Sequence, residues 1–337
     1  VAASGALNVA SIASVFGREL YKPLARLSGL LAVALLAGGL AVLVLDLGRP
    51  DRLIVAMTHY NFKSIFAWNI WLYTGFFAVV ALYLWLMFER RMNVYSSRAG
   101  LLAFVWRLVL TTGTGSIFGF LVAREPYNSA LLAPLFIAMS FAFGTAAFVL
   151  VLIAACRWSG RALGEALRAR LGSLLGVFVA AVLYFVAVHH LTALYLARQH
   201  ALERFLLLDG GVYTLLFWGG QVAIGGLLPL LLVFAPRLRQ RAAALPLACA
   251  AVIAGGLAQL YVLIIGGQAW PQQMFPGKDV RSAAFDGVVA AYAPSLPEVA
   301  LGVGGVALAL AITVVGLRVL PFLPASLADH APRQASA

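Results

Sequence analysis

The sequence has few charged residues and almost no cysteine. Of its 337 residues, 63% are hydrophobic and 11% are charged, whereas a soluble domain is nearer half apolar and a quarter charged. This composition excludes an ordinary soluble domain. The two cysteines, Cys156 and Cys249, show no CxxC or metal-ligand spacing, so we interpret both as small buried hydrophobes. A Gly-rich phosphate loop, a nucleophile elbow and an HExxH motif are also missing from the sequence.

Long apolar runs predict an all-α integral membrane protein. Several runs of 18 or more residues carry no charge, which is enough to cross ~30 Å of hydrocarbon as a helix. Nine segments are predicted, at roughly 1–17, 24–45, 65–88, 99–123, 129–156, 172–196, 212–234, 245–267 and 297–320. Because the chain opens at Val1 inside an apolar run, we expect a further helix ahead of it, which makes ten in a full chain.

The basic residues are distributed unevenly between the two sets of loops. Fifteen of the 24 lysines and arginines follow odd-numbered segments or lie in the tail, and eight follow even-numbered segments; the acidic residues divide four against eight. The positive-inside rule therefore places the first set in the cytoplasm. The formal charge of +12 is then a topology signal and an attraction to anionic membrane lipid, so we expect no nucleic-acid partner.

Arg107 lies within the fourth predicted segment, and ionisable residues at that depth are costly. Thr111 and Thr114 follow at i+4 and i+7 on the same helix face, beside Gly113, Gly115 and Gly119, which permit close helix approach. One interpretation is a water-filled proton path lined by Arg107 and Thr111. The other is an arginine that snorkels or ties two helices together through backbone carbonyls.

His189 and His190 lie near the predicted outer end of their helix. A bis-histidine haem b needs a second imidazole on a facing helix, but His59, His200 and His330 all lie outside the helix cores. Haem is therefore disfavoured, and a proton relay or a hydrogen-bonded structural histidine is favoured. Glu298 follows Pro297 at an ordinary helix start; alternatively, it faces the mouth of a proton path.

A polar stretch precedes the third predicted segment. The residues "MTHYNFKS" contain His59, Tyr60, Asn61 and Lys63. The charge count places them on the outer side, together with Asp46 and Arg49, which could form a pair, and with Arg124. We expect a ring of polar groups at one end of one helical cluster. Such a ring suits a ligand with a polar head and an apolar tail.

Five sequence blocks carry a resemblance to a known family. They are "LDLGRPDR", "MTHYNFKSIFAWN", "REPYNSALLAPLFIAMS", "ERFLLLDGGVYTLLFWGGQ" and "APSLPEVALGVGG". Together they resemble the NrfD/polysulfide reductase membrane-subunit (PsrC-like) family, and most closely its longer HybB-like and DsrP-like branch. The resemblance runs over nearly the whole chain.

The resemblance implies a fold of two four-helix bundles plus flanking helices, which we place at 1–156 and 157–337. It implies a subunit of the bacterial inner membrane that exchanges electrons between a quinone pool (menaquinone or ubiquinone) and a periplasmic iron–sulfur, ferredoxin-like subunit, connected to a catalytic subunit. His59 and Asp46 would exchange protons with the quinone. The quinone-binding residues would be His59, Tyr60, Asn61, Lys63, Arg49 and Arg124, and the candidates for a transmembrane proton path are Arg107, Thr111, His189 and Glu298.

Two other functions remain open from the sequence. A transporter often contains helices broken by Gly or Pro, and Pro134 and Pro229 interrupt apolar runs. A passive membrane anchor for a periplasmic enzyme would need no polar residues at membrane depth.

Overall fold

The computed structural model describes residues 1–271, 288–324 and 327, and the regular structure of these residues is helical. Eight helical segments in this described part are long and apolar enough to cross a membrane. They are Glu19–Asp46, Ile65–Phe88, Arg90–Gly119, Leu132–Trp158, Glu165–Tyr195, Val212–Phe234, Ala244–Ala269 and Leu296–Val319. The predicted polytopic all-α architecture is confirmed.

The individual helices are numbered in chain order. They are α1 (Ala2–Ala6), α2 (Asn8–Ser14), α3 (Ala25–Asp46), α4 (Leu53–Thr58), α5 (Ile65–Phe88), α6 (Ser96–Gly119), α7 (Leu132–Trp158), α8 (Glu165–Tyr195), α9 (His200–Arg204), α10 (Val212–Leu215), α11 (Leu228–Phe234), α12 (Pro236–Arg239), α13 (Ala244–Tyr261), α14 (Gly267–Ala269) and α15 (Leu296–Val319). Short 3₁₀ turns lie at Glu19–Leu24, Pro50–Arg52, Arg90–Tyr95 and Ala197–Gln199. Three segments are π-helical: Phe205–Asp209, Leu216–Leu227 and Val262–Gly266.

The first predicted segment differs from the other eight. Residues 1–17 contain only α1 and α2, which meet at Leu7 and are too short to count among the eight spans. They nevertheless lie in the core, since α1 packs on α3 and α7, and α2 packs on α3 and α6. Most of their side chains are buried.

Helix α7 lies at the centre of the packing. It contacts α1, α6, α8 and α13, and more of its apolar stretch is buried than in any other of the described spans. Gly5 on α1 and Gly144 on α7 are in backbone contact, so that a Cβ on either would overlap the other helix. Gly115 approaches the first turn of α7 in the same way. The close helix approach predicted for the glycines of α6 is therefore present.

The last helix packs beside the first span. α15 contacts α3, where Gly38 and Gly305 approach each other, and most of its other apolar side chains are exposed. Exposed apolar faces are what hydrocarbon-facing helices require. The division of the chain near residue 156 stays a prediction, as does the outward orientation. Six residues of the charge count lie outside the described residues, the basic Lys278, Arg281 and Arg333 and the acidic Asp279, Asp286 and Asp329; His330 does too.

Helix α8 departs from its predicted boundary, and α7 is continuous where the sequence suggested a break. α8 begins at Glu165, seven residues before the predicted segment, because its charged first turns continue the helix past the apolar run. Pro134 does not interrupt α7, since it lies in that helix's first turn, where a missing N–H is tolerated. Pro229 does follow an irregularity: the π-helical segment 216–227 directly precedes α11.

Candidate functional site

The predicted polar stretch forms a loop between α4 and α5. This loop, residues 59–64, follows Thr58 and leads into Ile65; we call it the outer loop after the side of the membrane on which the sequence predicts it. Asn61 Oδ1 accepts a hydrogen bond of 3.1 Å from the backbone N–H of Lys63, and Thr58 Oγ1 lies 3.0 Å from His59 Nδ1. His59, Asn61 and Lys63 are exposed. The loop is thus shaped by its own atoms, and the Lys63 ammonium has no partner among the described residues.

An aromatic cluster supports the outer loop. The ring centroid of Tyr60 lies 5.3 Å from that of Trp71 and 6.0 Å from that of Phe62. Trp68 packs its edge against Phe62, 6.2 Å away, and donates its indole N–H to the Phe62 carbonyl at 2.9 Å. The rings of Phe62, Trp68 and Trp71 are roughly half or more exposed. Tryptophan at this position is typical of the membrane–water interface.

The remaining residues of the predicted ring do not pair with the outer loop. Arg49 pairs with Asp51 at 3.9 Å rather than with Asp46, so the expected Asp46–Arg49 pair is not formed. Both side chains of the observed pair are about two-thirds exposed, so the interaction is weak. Arg124 donates to the carbonyl of Gln268 at 3.0 Å, which ties it to the end of α14. In the described residues no hydrogen bond joins Arg124 to the outer loop.

The outer loop offers an imidazole, a phenol, an amide and an ammonium within five residues. An imidazole can take up or release a proton near neutral pH, and a phenol or amide can donate a hydrogen bond to a carbonyl oxygen. The exposed rings below provide an apolar surface beside these groups. This arrangement can hold the polar head of an amphipathic ligand.

Arg107 lies in the interior of the N-terminal half. It is 2% exposed, and its Nη1 donates to the Ser4 carbonyl at 3.2 Å and to Asn8 Oδ1. The guanidinium carbon also lies 5.1 Å from the Phe104 ring and 4.9 Å from the Phe141 ring. Among the described residues, no carboxylate pairs with it.

Thr111 belongs to the same group. Its hydroxyl donates to the Arg107 carbonyl at 2.8 Å and lies 2.6 Å from Ser4 Oγ. Asn8 in turn donates to Thr145 Oγ1 at 2.9 Å. Arg107 and Thr111 therefore connect α6 to α1, α2 and α7, which favours the helix-tying interpretation of the polar stripe. Within the described residues, the Thr114 hydroxyl donates only to its own helix, at the Leu110 carbonyl.

A second polar group lies in the C-terminal half. We define the His190 cluster as His189, His190, Glu203, Gln221 and Gln259. His190 Nδ1 lies 2.8 Å from Glu203 Oε2, and the side chains are 15% and 2% exposed. The amides of Gln221 and Gln259 are buried on neighbouring helices. All five residues line one cavity.

Three members of this cluster were missed by the sequence analysis. Glu203 lies in a stretch that hydropathy treats as a connecting loop, and its burial arises only because α9 folds back on α8. Gln221 and Gln259 did carry a signal, since a buried amide within an apolar span is a candidate for interhelical hydrogen bonding.

Glu298 takes part in a helix cap. Its carboxylate accepts a 2.7 Å hydrogen bond from the Ser295 backbone N–H, in a capping box with that serine. It also accepts from the Tyr292 hydroxyl at 3.2 Å. This supports the ordinary helix-start interpretation of Glu298, which is exposed.

Tyr127 anchors one of the π-helical segments. Its hydroxyl donates to the Ile264 carbonyl at 2.9 Å, across the gap between the α6–α7 connection and segment 262–266. Burial raises the pKa of Tyr127 to about 12, against the opposing effect of nearby Arg124. The tyrosine therefore stays a neutral hydrogen-bond donor over the physiological range.

The sequence is similar to membrane subunits of redox complexes. It is 29% identical over 324 residues to an Hdr-like menaquinol oxidoreductase integral membrane subunit of Archaeoglobus fulgidus, covering 95% of this chain and 81% of the relative. It is 22% identical over 358 residues to a selenate reductase subunit of Mesobacillus selenatarsenatis, covering 94% and 82%. These likenesses support a membrane redox subunit.

The family model described as "Polysulphide reductase, NrfD" matches residues 1–272. The match includes α1 through α14, and thus the outer loop, Arg107 and the His190 cluster. The chain belongs to the NrfD polysulphide reductase family of integral membrane subunits.

Proposed function

We propose that this chain is the quinone-reactive subunit of a multi-subunit respiratory redox complex. The observation that carries this proposal is the outer loop. Its four polar side chains have no hydrogen-bond partner beyond Thr58 and the loop itself among the described residues, and they lie beside an exposed aromatic cluster. A relative named as part of a menaquinol oxidoreductase supports the quinone as the ligand.

The outer loop fits the head of a quinone. A quinone ring needs donors for its two carbonyl oxygens and a flat apolar contact, and its tail needs access to hydrocarbon. Tyr60 and Asn61 supply donors, and Trp71 supplies a ring face next to Tyr60. Phe66 and Trp68 are exposed on the first turn of α5, so the tail can leave directly into lipid.

Proton exchange is assigned to His59, with Asp46 as the second candidate. A bound quinone supplies chemistry in which two electrons and two protons are exchanged. The His59 imidazole is exposed, so it can pass a proton between the ligand and water. Lys63 places a positive charge in the loop itself. Arg49, which pairs with Asp51, and Arg124, which is bonded to Gln268, would have to move to contact the ligand.

The partners follow from the proposed position of the loop. We place the loop at the outer face of the cytoplasmic membrane, where a periplasmic iron–sulfur subunit would take electrons from the quinol or return them. That subunit would connect to a catalytic subunit outside the membrane. The relatives' names, a menaquinol oxidoreductase and a selenate reductase, support such an assembly.

A transmembrane proton path is a separate part of the proposal. Arg107 and Thr111 supply polar groups near the middle of α6 in one half, and His189 supplies one near the C-terminal end of α8 in the other half. Glu298 would lie at the outer mouth. Arg107 and Thr111 are held in bonds to α1 and α2. Two ring or guanidinium nitrogens of the proposed path, Arg107 Nε and His189 Nδ1, are buried and without a hydrogen-bond partner in the described chain, so both retain hydrogen-bonding capacity.

The test is quinol-dependent electron transfer by the purified complex. His59→Ala is expected to lower the rate at least about 100-fold, the lower end of the usual scale for losing a positioned acid or base. His200→Ala is the matched control, since His200 is also exposed and, among the described residues, bonds only to the nearby Leu194 carbonyl. Unchanged electron transfer in His59→Ala would exclude the outer loop as the site. Uptake of a solute by the isolated chain would favour a transporter instead.

A further inference from the structure

The His190–Glu203 pair is a buried acid–base pair with few charges around it. Its 2.8 Å contact joins α8 to α9. The charged groups nearest to Glu203 in the sequence are already engaged: Arg204 with Asp209 at 2.8 Å, and Arg198 with Glu125 at 3.7 Å. His200, on the same short helix, contacts the Leu194 carbonyl at 2.6 Å. Segment 216–227 contributes no titratable side chain. Glu203 therefore has His190 as its only charged partner among the described residues.

The pair opens onto a small cavity of about 40 Å³, which is lined by both polar and apolar side chains. A cavity of this size accommodates about one water molecule, and a buried water needs two to four polar partners. His189, Gln199, Gln221 and Gln259 supply them. His189 Nδ1 is buried without a hydrogen-bond partner in the described chain, so a polar group is available for such a water.

Deeper in the bundle, Gln221 and Gln259 are the last polar side chains of this group among the described residues. A second void of about 10 Å³ shares Gln221 and Gln259 with the first. Its remaining lining consists of apolar side chains and glycines from α7, α8, α13 and segment 216–227. The two amides thus mark the boundary between a polar region next to the outer surface and an apolar bundle interior.

The outer side of the cavity is connected to polar surface groups. Glu125 and Gln199 line it, and Arg198, which pairs with Glu125, is largely exposed. Trp270 donates its indole N–H to Glu125 at 3.1 Å, which holds that carboxylate at the rim. A chain of polar groups therefore runs from solvent to Glu203 and His190.

All three π-helical segments border this cavity. Leu206, Gln221 and Val262 line it, and each lies in a different one of the three. π-helical turns occur frequently at functional sites. Their convergence on one cavity is an observation independent of its polar lining.

We propose that the His190 cluster is a proton-binding site, at which Glu203 and His190 take up a proton from the outer surface through water in the cavity. Uptake forms one N–H or O–H bond within the pair and raises its charge by one, and release reverses both. This inference rests on the proposed function in one respect: the proposed redox reaction would drive the uptake and release of the proton.

Two conservative variants separate proton binding from structural support. Glu203→Gln and His190→Gln keep a hydrogen-bonding side chain of similar size but remove a titratable group. Glu19→Gln is the matched control, because Glu19 is an exposed carboxylate whose one ion-pair partner in the described chain is Lys22. Each variant would be purified in its complete complex.

The first measurement is infrared difference spectroscopy between acid and neutral pH. We expect a carboxyl C=O band that is absent in Glu203→Gln and unchanged in Glu19→Gln. In His190→Gln the band remains, but the pH at its midpoint shifts by at least about one unit. If Glu203→Gln keeps every carboxyl band that Glu19→Gln keeps, the proposal is overturned and the pair is structural.

The second measurement is proton movement per electron in vesicles. Glu203→Gln is expected to halve this ratio or lower it further while quinol turnover is retained. An unchanged ratio, or a ratio that depends on sodium instead of pH, would also overturn the proposal. If the wild-type complex shows no quinol turnover at all, the proposed function fails, and the infrared result still decides the proton site.

Discussion

Arg107 on α6 donates a hydrogen bond to the side-chain oxygen of Asn8 on α2, in the interior of the N-terminal half. Arg107 stands about halfway along its helix, roughly 17 Å from either end at about 1.5 Å per residue. A guanidinium held there by neutral partners and two aromatic rings joins helices that are distant in sequence.

Arg107→Ala is expected to destabilise the protein by at least about 2 kcal/mol. The substitution leaves a cavity and removes the donor from Asn8 Oδ1 and the Ser4 carbonyl, two buried acceptors. Thermal unfolding in detergent measures the effect. Arg98→Ala, an exposed arginine on the same helix, should change stability by less than about 0.5 kcal/mol. Equal melting temperatures for both variants would contradict the helix-tying role.

Trp71→Ala is expected to weaken quinol binding without changing the chemistry at His59. The ring of Trp71 packs against Tyr60, and such a contact contributes about 1 kcal/mol, or a roughly fivefold rise in KM with kcat nearly unchanged. Trp85→Ala on the same helix is the control, since Trp85 is also exposed but lies at the other end of α5. A fall in kcat with an unchanged KM would argue against a binding role.

Tyr127→Phe is expected to lower stability by about 1 kcal/mol, the value of one hydrogen bond. Because the folded-state pKa is raised to about 12 from an unfolded value of about 10, the contribution of the hydroxyl is fully present below about pH 10. It is lost as the pH rises from about 10 towards 12. Unfolding of both proteins over a pH series measures this, and a difference that grows above about pH 10 would contradict the assignment.

Apolar runs gave most of the spans to within a few residues. Helices α5 and α15 have nearly the predicted bounds, because uninterrupted hydrophobic sequence between polar ends leaves little choice to a chain in lipid. The predicted start of α8 was seven residues too late, because its first turns are helical although they carry charged side chains. The capping box at Ser295 and Glu298 was readable as S-x-x-E.

The sites were less predictable than the spans. Whether Arg107 lines water or ties helices depends on Asn8 and Phe141, which lie far away in the sequence. Glu203 became a buried group only through the return of α9 onto α8. The π-helical segments depend on how four helices pack, and apolar composition alone does not distinguish them from α-helix.

The π-helical segment 216–227 has a consequence for sequence comparison. In such a segment each hydrogen bond spans five residues instead of four, so the faces before and after it are out of phase with a regular helix. If these residues formed a regular α-helix, either the Gln221 side chain or the packed face of α11 would be rotated away from its partners. Relatives that lack one residue here would therefore present a different side chain to the cavity, and alignments of this helix are best anchored separately at Gln221 and at Pro229.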